Sequence, residues 1–228
     1  MSERADQLRV RLARSLENVN PQGAHNALDE AFASLSLDAA LSEVVLPCLQ
    51  ALGHGSAWEA SARAQVQFST GLLETRLLAL ASGWDSGGRP TVVIAYAGAE
   101  QHTLGGIAFG LALRDRGWRI AYLGGSPSAQ SAVDMAEGTD ATAVVLVARD
   151  PADLDGVRQS VRGLSSRRHL VLAGDGATVS AARDLDAELL PRDPVLAARE
   201  LHRRAGGGPR RHTSTIRSRR TPEVCSSL

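Results

Sequence analysis

The chain has 228 residues, 43% of them apolar and only 4% aromatic, and its 25 basic and 25 acidic residues give a formal charge of zero. That length suits one or two domains, and the balance excludes a broadly basic nucleic-acid binder. The charge is unevenly spread: every basic residue is Arg, and from Arg203 onwards seven Arg meet one acid while 18 Arg meet 24 acids before it, so an acidic body carries a basic tail.

Segments 3–17, 22–34, 36–52 and 57–82 are rich in Ala and Leu, with apolar residues returning at three- and four-residue spacing. They predict four helices, the number and length of a small bundle. Pro47 lies inside the third, where it removes one backbone hydrogen bond and predicts a bend. The run GWDSGGRP at 83–90 breaks the pattern and marks a domain boundary. Beyond it, the β-branched or apolar runs 91–97, 119–124, 142–148 and 169–174 predict strands, and 103–116, 128–138, 152–163 and 176–184 predict the helices between them. A last strand near 188–190 and a helix around 194–204 complete the series. Buried strands alternating with helices predict an α/β fold, a doubly wound parallel sheet covered on both faces. The chain thus reads as a helical cap at 1–88, a Rossmann-like domain at 89–204 and a disordered Arg-rich tail at 205–228.

The longest apolar runs, such as 141–148, fall far short of the roughly 20 residues of a membrane span. No signal-peptide core opens the sequence. A soluble, cytoplasmic protein without a membrane partner is expected. Cys48 and Cys225 form no CxxC, so neither a disulfide framework nor a thiolate metal site is expected.

In a doubly wound sheet, ligands bind at the carboxyl ends of the strands, near the point where strand order reverses. The richest loop there follows the first strand: AGAEQHTLGG at 97–106. Gly105 and Gly106 let a planar ligand or a neighbouring backbone approach closely. Glu100, two residues before His102, is spaced to accept the proton of one ring nitrogen, which fixes the tautomer and raises the basicity of the other. By itself this pattern also suits a polar loop whose His bonds locally. One His and one Glu are too few for structural zinc, which takes about four ligands. A macrocyclic metal cofactor brings most of its own ligands and needs a single axial His.

These residues resemble the cobalamin-binding family in which a helical cap precedes a Rossmann-like domain, as in corrinoid methyltransferase modules and cobalamin-dependent photoreceptor regulators. The family pattern is DxHxxG, about 41 residues, SxL, about 26 to 28 residues, then GG. Here Glu100-Gln101-His102-Thr103-Leu104-Gly105 fills the first element with Glu for Asp, Val147-Ala148-Arg149 stands at SxL, and Gly174-Asp175 stands at GG. The resemblance implies that His102 is the lower axial cobalt ligand and that the segments around Val147, Arg149, Gly174 and Asp175 line a slot for the cofactor's detached nucleotide tail. Val147 lacks the hydroxyl and only Gly174 of the Gly pair remains.

The bundle resembles the family's cap as well. VVLPCLQALG at 44–53, followed by a Trp, and QFSTGLLETRL at 67–77 are similar to LPxLxxLGxxW and to the segment after EH. Light-responsive members carry W-x9-EH over the upper corrin face. In this register Val66 and Gln67 take the Glu-His positions, and the Trp position falls on Ser56. Trp58 comes two residues late, about 200° around a helix, so it is as well placed for a core role as for the corrin. Gln67 is a poor cobalt ligand, and His54 is the one cap His near this region.

Three classes follow from the resemblance. The first is a cobalamin-binding sensor or regulator without its own DNA-binding domain, since 20 residues before the cap leave room for one helix; cofactor state alters cap packing and affinity for a partner protein or a second copy bound through the cap. The alternative is a corrinoid carrier subunit of a methyltransferase or mutase complex. The third is a degenerate fold that no longer binds cobalamin. Catalysis by this chain alone is not expected, because a catalytic barrel needs about 250 residues. Nucleic acid enters only through RRHTSTIRSRR at 210–220, where charge offers a docking point.

Overall fold

The computed structural model describes residues 2–53, 60–84, 90–98, 103–125, 129–161, 164 and 168–206. Helices α1 (Glu3–Glu17) and α2 (Pro21–Ser34) open the chain, each started by the side chain expected at a helix N-terminus. Ser2 accepts from the Ala5 amide and Asn20 from the Gly23 amide, with Pro21 at the first helical position. Leu8, Leu12 and Leu16 recur at fourth positions of α1 and are fully buried, which is the apolar stripe its periodicity predicts.

The third predicted helix differs in an instructive way. It comprises α3 (Leu37–Ala39), a π-helical stretch over Ala40–Val45 and α4 (Leu46–Gly53). The Leu46 amide reaches back five residues to the Leu41 carbonyl. This wider turn, next to Pro47, is how the helix absorbs a residue that has no amide and whose ring crowds the preceding turn. The fourth helix, α5 (Ala60–Leu80), leads through Trp84 to the first strand.

The sheet contains β1 (Thr91–Tyr96), β2 (Arg119–Tyr122), β3 (Ala143–Val147), β4 (His169–Ala173) and β5 (Glu188–Leu189), all parallel, in the order β2-β1-β3-β4-β5. Between them run α6 (Leu104–Asp115), α7 (Ala129–Gly138), α8 (Asp153–Val157) and α9 (Val179–Asp184), and α10 (Pro194–Gly206) follows β5. Alternate strand residues face opposite sides. Val92, Ile94, Val145 and Val171 pack with α6 and α10, while Val93, Val144, Leu146 and Leu172 pack with α7, α8 and α9. The sheet is doubly wound, as the alternation of elements predicts.

Two boundaries move for local reasons. Helix α8 ends at Val157, well before the expected 163, because Gly156 in its last turn weakens the helix and turns follow. Helix α9 starts only after Thr178, whose hydroxyl accepts from the Ala181 amide at 3.1 Å. Ala205 and Gly206, read from the sequence as tail, belong to α10.

The cap and the sheet unit share one hydrophobic cluster that runs from α1 through α5 and α6 to α10. Polar contacts tie the same elements. Asp38 in α3 receives Nη1 of Arg116 at 3.0 Å and Nη2 at 2.5 Å, and Nε of Arg199 in α10 at 2.9 Å. Burial raises the Asp38 carboxyl, but the bonds from Arg116 and Arg199 outweigh it and hold the group below its ordinary value. In the same region the buried Trp118 donates its indole N–H to Nδ1 of His202 at 3.1 Å.

Candidate functional site

In the order β2-β1-β3-β4-β5 the chain leaves β1 toward β2 on one side and returns to β3 on the other, so the strand order reverses between β1 and β3. A crevice opens at such a point beyond the carboxyl ends of the strands. The three segments singled out in the sequence start from adjacent strands at one level, because Tyr96 pairs in register with Val147 and Val147 with Ala173. Gly98 and Thr103, which flank 99–102, the Val147-Arg149 segment and Gly174-Asp175 therefore meet at one end of the sheet. Glu100 and His102 lie outside the described residues, as do Trp58 and His54 of the cap.

The loops are held together by backbone proximity. Gly174 has φ of +93°, and a Cβ there would stand 2.3 Å from the Ala148 carbonyl oxygen. Only Gly accepts both conditions. Two residues on, the Gly176 amide donates to the same carbonyl at 3.0 Å, and a Cβ on Gly176 would stand 2.4 Å from the Asp150 carbonyl carbon. The second close-packing glycine is thus Gly176, which sequence reasoning passed over while looking for an adjacent pair; a strand followed by Gly-x-Gly was the available signal. Asp153 at the start of α8 accepts from the amides of Arg149 at 3.2 Å and Asp150 at 2.9 Å, and its carboxylate fills the space a Cβ on Gly98 would need. The β1 and β3 loops consequently share one organising carboxylate.

The remaining sequence candidates divide by what surrounds them. Val147 is half-buried and packs on the core, Arg149 and Asp175 are exposed, and Asp175 stands 3.8 Å from Arg192. Gly106 serves its own fold: its amide donates to the Tyr96 hydroxyl at 3.1 Å, and a Cβ would meet that oxygen at 2.6 Å. Gly105 has room, since among the described residues only Pro194 Cγ, at 3.9 Å, lies near its added Cβ. On α5, Val66 is half-buried and Gln67 exposed.

Cap and sheet meet again at the start of α6. Glu74 of α5 accepts a hydrogen bond from the Thr103 hydroxyl, and the Thr103 carbonyl accepts from the Tyr96 hydroxyl at 3.0 Å. Gln67 precedes Glu74 by seven residues, which brings it back to within about 20° on the same face of α5. Gly71, between them, would carry a Cβ with nothing within 4 Å among the described residues. The Tyr122 hydroxyl is buried with no hydrogen-bond partner among the described residues. Burial pushes that phenol above its ordinary value and the Glu74 carboxylate adds to the shift, against the opposing hydroxyls of Thr103 and Tyr96.

A corrin takes a single protein ligand, the sequence between Gly98 and Thr103 contains one imidazole, and the Gly174 and Gly176 contacts fix the neighbouring loops. No cluster of three or more His, Cys, Asp or Glu able to hold a bare metal ion occurs among the described residues, and no described helix is long and apolar enough to cross a membrane.

No sequence family and no curated protein matches the chain. Its fold, however, is that of the monomethylamine corrinoid protein of Methanosarcina barkeri, with a TM-score of 0.68 at 16% identity over 87% of this chain and 98% of that one. More distant overlaps are found with a cobalamin-binding protein from Desulfitobacterium hafniense DCB-2 (TM-score 0.47, 17% identity, 86% and 97% of the two chains) and with the methanol:cobalamin methyltransferase complex of Methanosarcina barkeri (0.46, 13%, 89% and 81%). The first superposition establishes the architecture, a helical cap joined to a parallel five-stranded sheet.

Proposed function

We propose that this chain binds a cobalamin at the carboxyl end of its sheet, with His102 as the lower axial cobalt ligand and Glu100 holding the imidazole in the ligating tautomer. The observation that carries the reading is the strand order, which sets the ends of β1, β3 and β4 side by side at the reversal point. When bound, the corrin supplies the organometallic chemistry. The chain supplies the imidazole, the loops that flank the nucleotide tail near Val147 and Gly174, and a cap whose α5 face, with Val66 and Gln67, lies toward the upper ligand.

The biological role follows as a corrinoid carrier, a non-catalytic subunit that presents its cofactor to the active site of a methyltransferase or mutase chain. A match over nearly the whole length of a corrinoid protein supports that role. A sensor or regulator is the second reading, and the continuous core and the Asp38 contacts favour it. A cap held this firmly suits a protein that signals by small changes in packing, whereas a carrier must uncover the upper face.

The test is the absorption spectrum of the protein reconstituted with adenosyl-, methyl- and hydroxocobalamin, in darkness and after illumination, for wild type and His102→Ala. Co-elution of a cobalamin with the wild type and altered cobalt bands in His102→Ala are expected. Absence of co-elution would end the proposal, and unchanged bands would remove His102 from the cobalt. Methyl transfer to or from a corrinoid methyltransferase selects the carrier; a stable light-induced spectrum coupled to a change in oligomer selects the sensor. Residues 207–228 lie outside the described part, and their proposed contact with nucleic acid or an acidic partner is tested by truncation after Gly206. Cutting at Leu201 would confuse that test, because Arg204 is bonded to Glu188 and Glu200 within the fold.

A further inference from the structure

Helix α10 is fastened by one acceptor that exists in a single protonation state. The indole N–H of Trp118, a residue with no exposed surface, donates to Nδ1 of His202 at 3.1 Å. An imidazole accepts at Nδ1 only when it is neutral, with its proton on Nε2. His202 is exposed, so that N–H is met by solvent. A second proton would set N–H against N–H and strand a buried donor whose desolvation goes uncompensated.

The other polar fasteners of α10 do not change where histidines do. On α10 itself, Arg199 donates to Asp38 of α3 at 2.9 Å, and Arg203 and Arg204 each donate to Glu200 at 2.6 Å. Arg204 also reaches Glu188 of β5 at 2.7 Å, and His169 of β4 stands 3.0 Å from the same carboxylate. On the α6 side, Arg116 holds Asp38, Asp115 precedes Arg116, and Arg114 donates to the Gly83 carbonyl at 3.2 Å. Arg119, which follows Trp118 in β2, is exposed. Burial raises Asp38 and Glu188, yet the arginines, joined by His169 at Glu188, hold both below their ordinary values. Arg203 and Arg204 bring Glu200 down to about 2. These carboxylates therefore stay ionised between about pH 5 and 8, the range in which histidine gains its charge. On protonation His169 gains attraction to Glu188 while His202 loses its donor, so the two histidines respond with opposite sign.

We propose that His202 is a pH-sensitive fastener, which holds α10 against the junction of α6 and β2 when neutral and loosens it when protonated. Because the flanking ion pairs persist, acid favours local opening of the helix rather than its detachment. The surface uncovered is apolar, Trp118 and Leu201 both being fully buried in the closed form. Trp118 stands just before β2, at the amino end of the sheet. The device is therefore independent of what binds at the carboxyl end.

The experiment is hydrogen exchange of the full chain, read by NMR at the Trp118 indole and at the backbone amides of 201–204 and corrected for intrinsic rates. Wild type, His202→Asn, His202→Ala and His169→Gln are compared near about pH 7.5 and about pH 5.5, on either side of the ordinary histidine transition. Wild type is expected to lose protection about tenfold on acidification, equal to about 1.4 kcal/mol. His202→Asn, whose amide oxygen takes the place of Nδ1 and does not titrate, is expected to keep its protection at both pH values. His202→Ala should be weakly protected at both, and His169→Gln should follow the wild type. Thermal unfolding of each variant checks the fold, and should His202→Ala not fold, His202→Asn decides alone. Wild-type protection that is the same at both pH values, or a loss in His202→Asn as large as in wild type, would overturn the proposal. Abolition of the loss in His169→Gln would overturn it as well, by moving the pH response to Glu188.

Discussion

Replacing Asp38 by Asn tests whether the cap is held to the sheet unit by a specific ion pair as well as by apolar contact. The Asp38 side chain is 14% exposed and that of Arg116 17%, and the pair is bidentate. Removing one member of a fully buried pair costs about 3–5 kcal/mol, whereas exposed pairs contribute about 0–1. A pair so little exposed, whose Arg116 keeps the Ala112 carbonyl at 2.6 Å and the nearby Asp115 carboxylate, falls between these two ranges, at about 2–3 kcal/mol. Arg199 is 53% exposed, and its share is screened by solvent.

For a chain of this length each kcal/mol moves Tm by about 2–4 °C, so Asp38→Asn is expected to melt about 5–10 °C lower. Urea unfolding should give a lower midpoint with an unchanged slope. The pH profile adds an independent sign. Asp38 is held below its ordinary value in the folded chain, so its stabilisation is fully present above the unfolded pKa of about 3.9 and is lost as pH falls through the lower folded value. Wild type and variant should therefore differ most near neutrality and converge in acid below about pH 4. A difference under about 0.5 kcal/mol at pH 7, within the usual range for surface changes, or an equal acid loss in both proteins, would refute the account.

Two further outcomes follow from the packing. Gly174→Ala places a Cβ at positive φ and 2.3 Å from the Ala148 carbonyl, so a loss well above 1 kcal/mol is expected, whereas Gly71→Ala, in open space on α5, should gain about 0.5–1 kcal/mol; equal denaturation midpoints for the two variants would contradict both. His202→Ala leaves the indole N–H of the buried Trp118 unpaired and should cost about 1–3 kcal/mol by urea unfolding, and His202→Gln, which offers an acceptor, should recover part of that.

Much of the fold was legible because its signals are local. Runs such as TVVIAY and AVVLV announce buried strands by composition, and Ser2, Asn20 and Ser36 announce helix starts by side-chain chemistry. The strand order was not legible, since pairing β1 with β3 depends on contacts that no local pattern encodes. The π-helical stretch before Pro47 was foreseen only as a bend, because the sequence marks where an amide is missing and not how the turn widens to absorb it. At the site, Val147 and Gly174 were singled out by the spacing of the family pattern, and in the sheet Val147 pairs with Ala173, the residue before Gly174. Gly176 and Glu74 escaped for different reasons: one matters through backbone crowding from Asp150, and the other acts across 29 residues on a threonine whose normal partner has been taken by Tyr96.

The outer strands of the sheet bear on how copies of this protein meet. An open sheet presents unpaired amides and carbonyls along its edges, and long flat edges recruit further strands. Here one edge is β2, four residues beginning with Arg119, and the other is β5, two residues beginning with Glu188. Glu188 is engaged by Arg204 of α10 at 2.7 Å and stands 3.0 Å from His169. Neither margin offers a run long enough to template a fibril or a strand-swapped pair. Growth by sheet extension is disfavoured at both ends, which leaves the helical surfaces to carry any assembly.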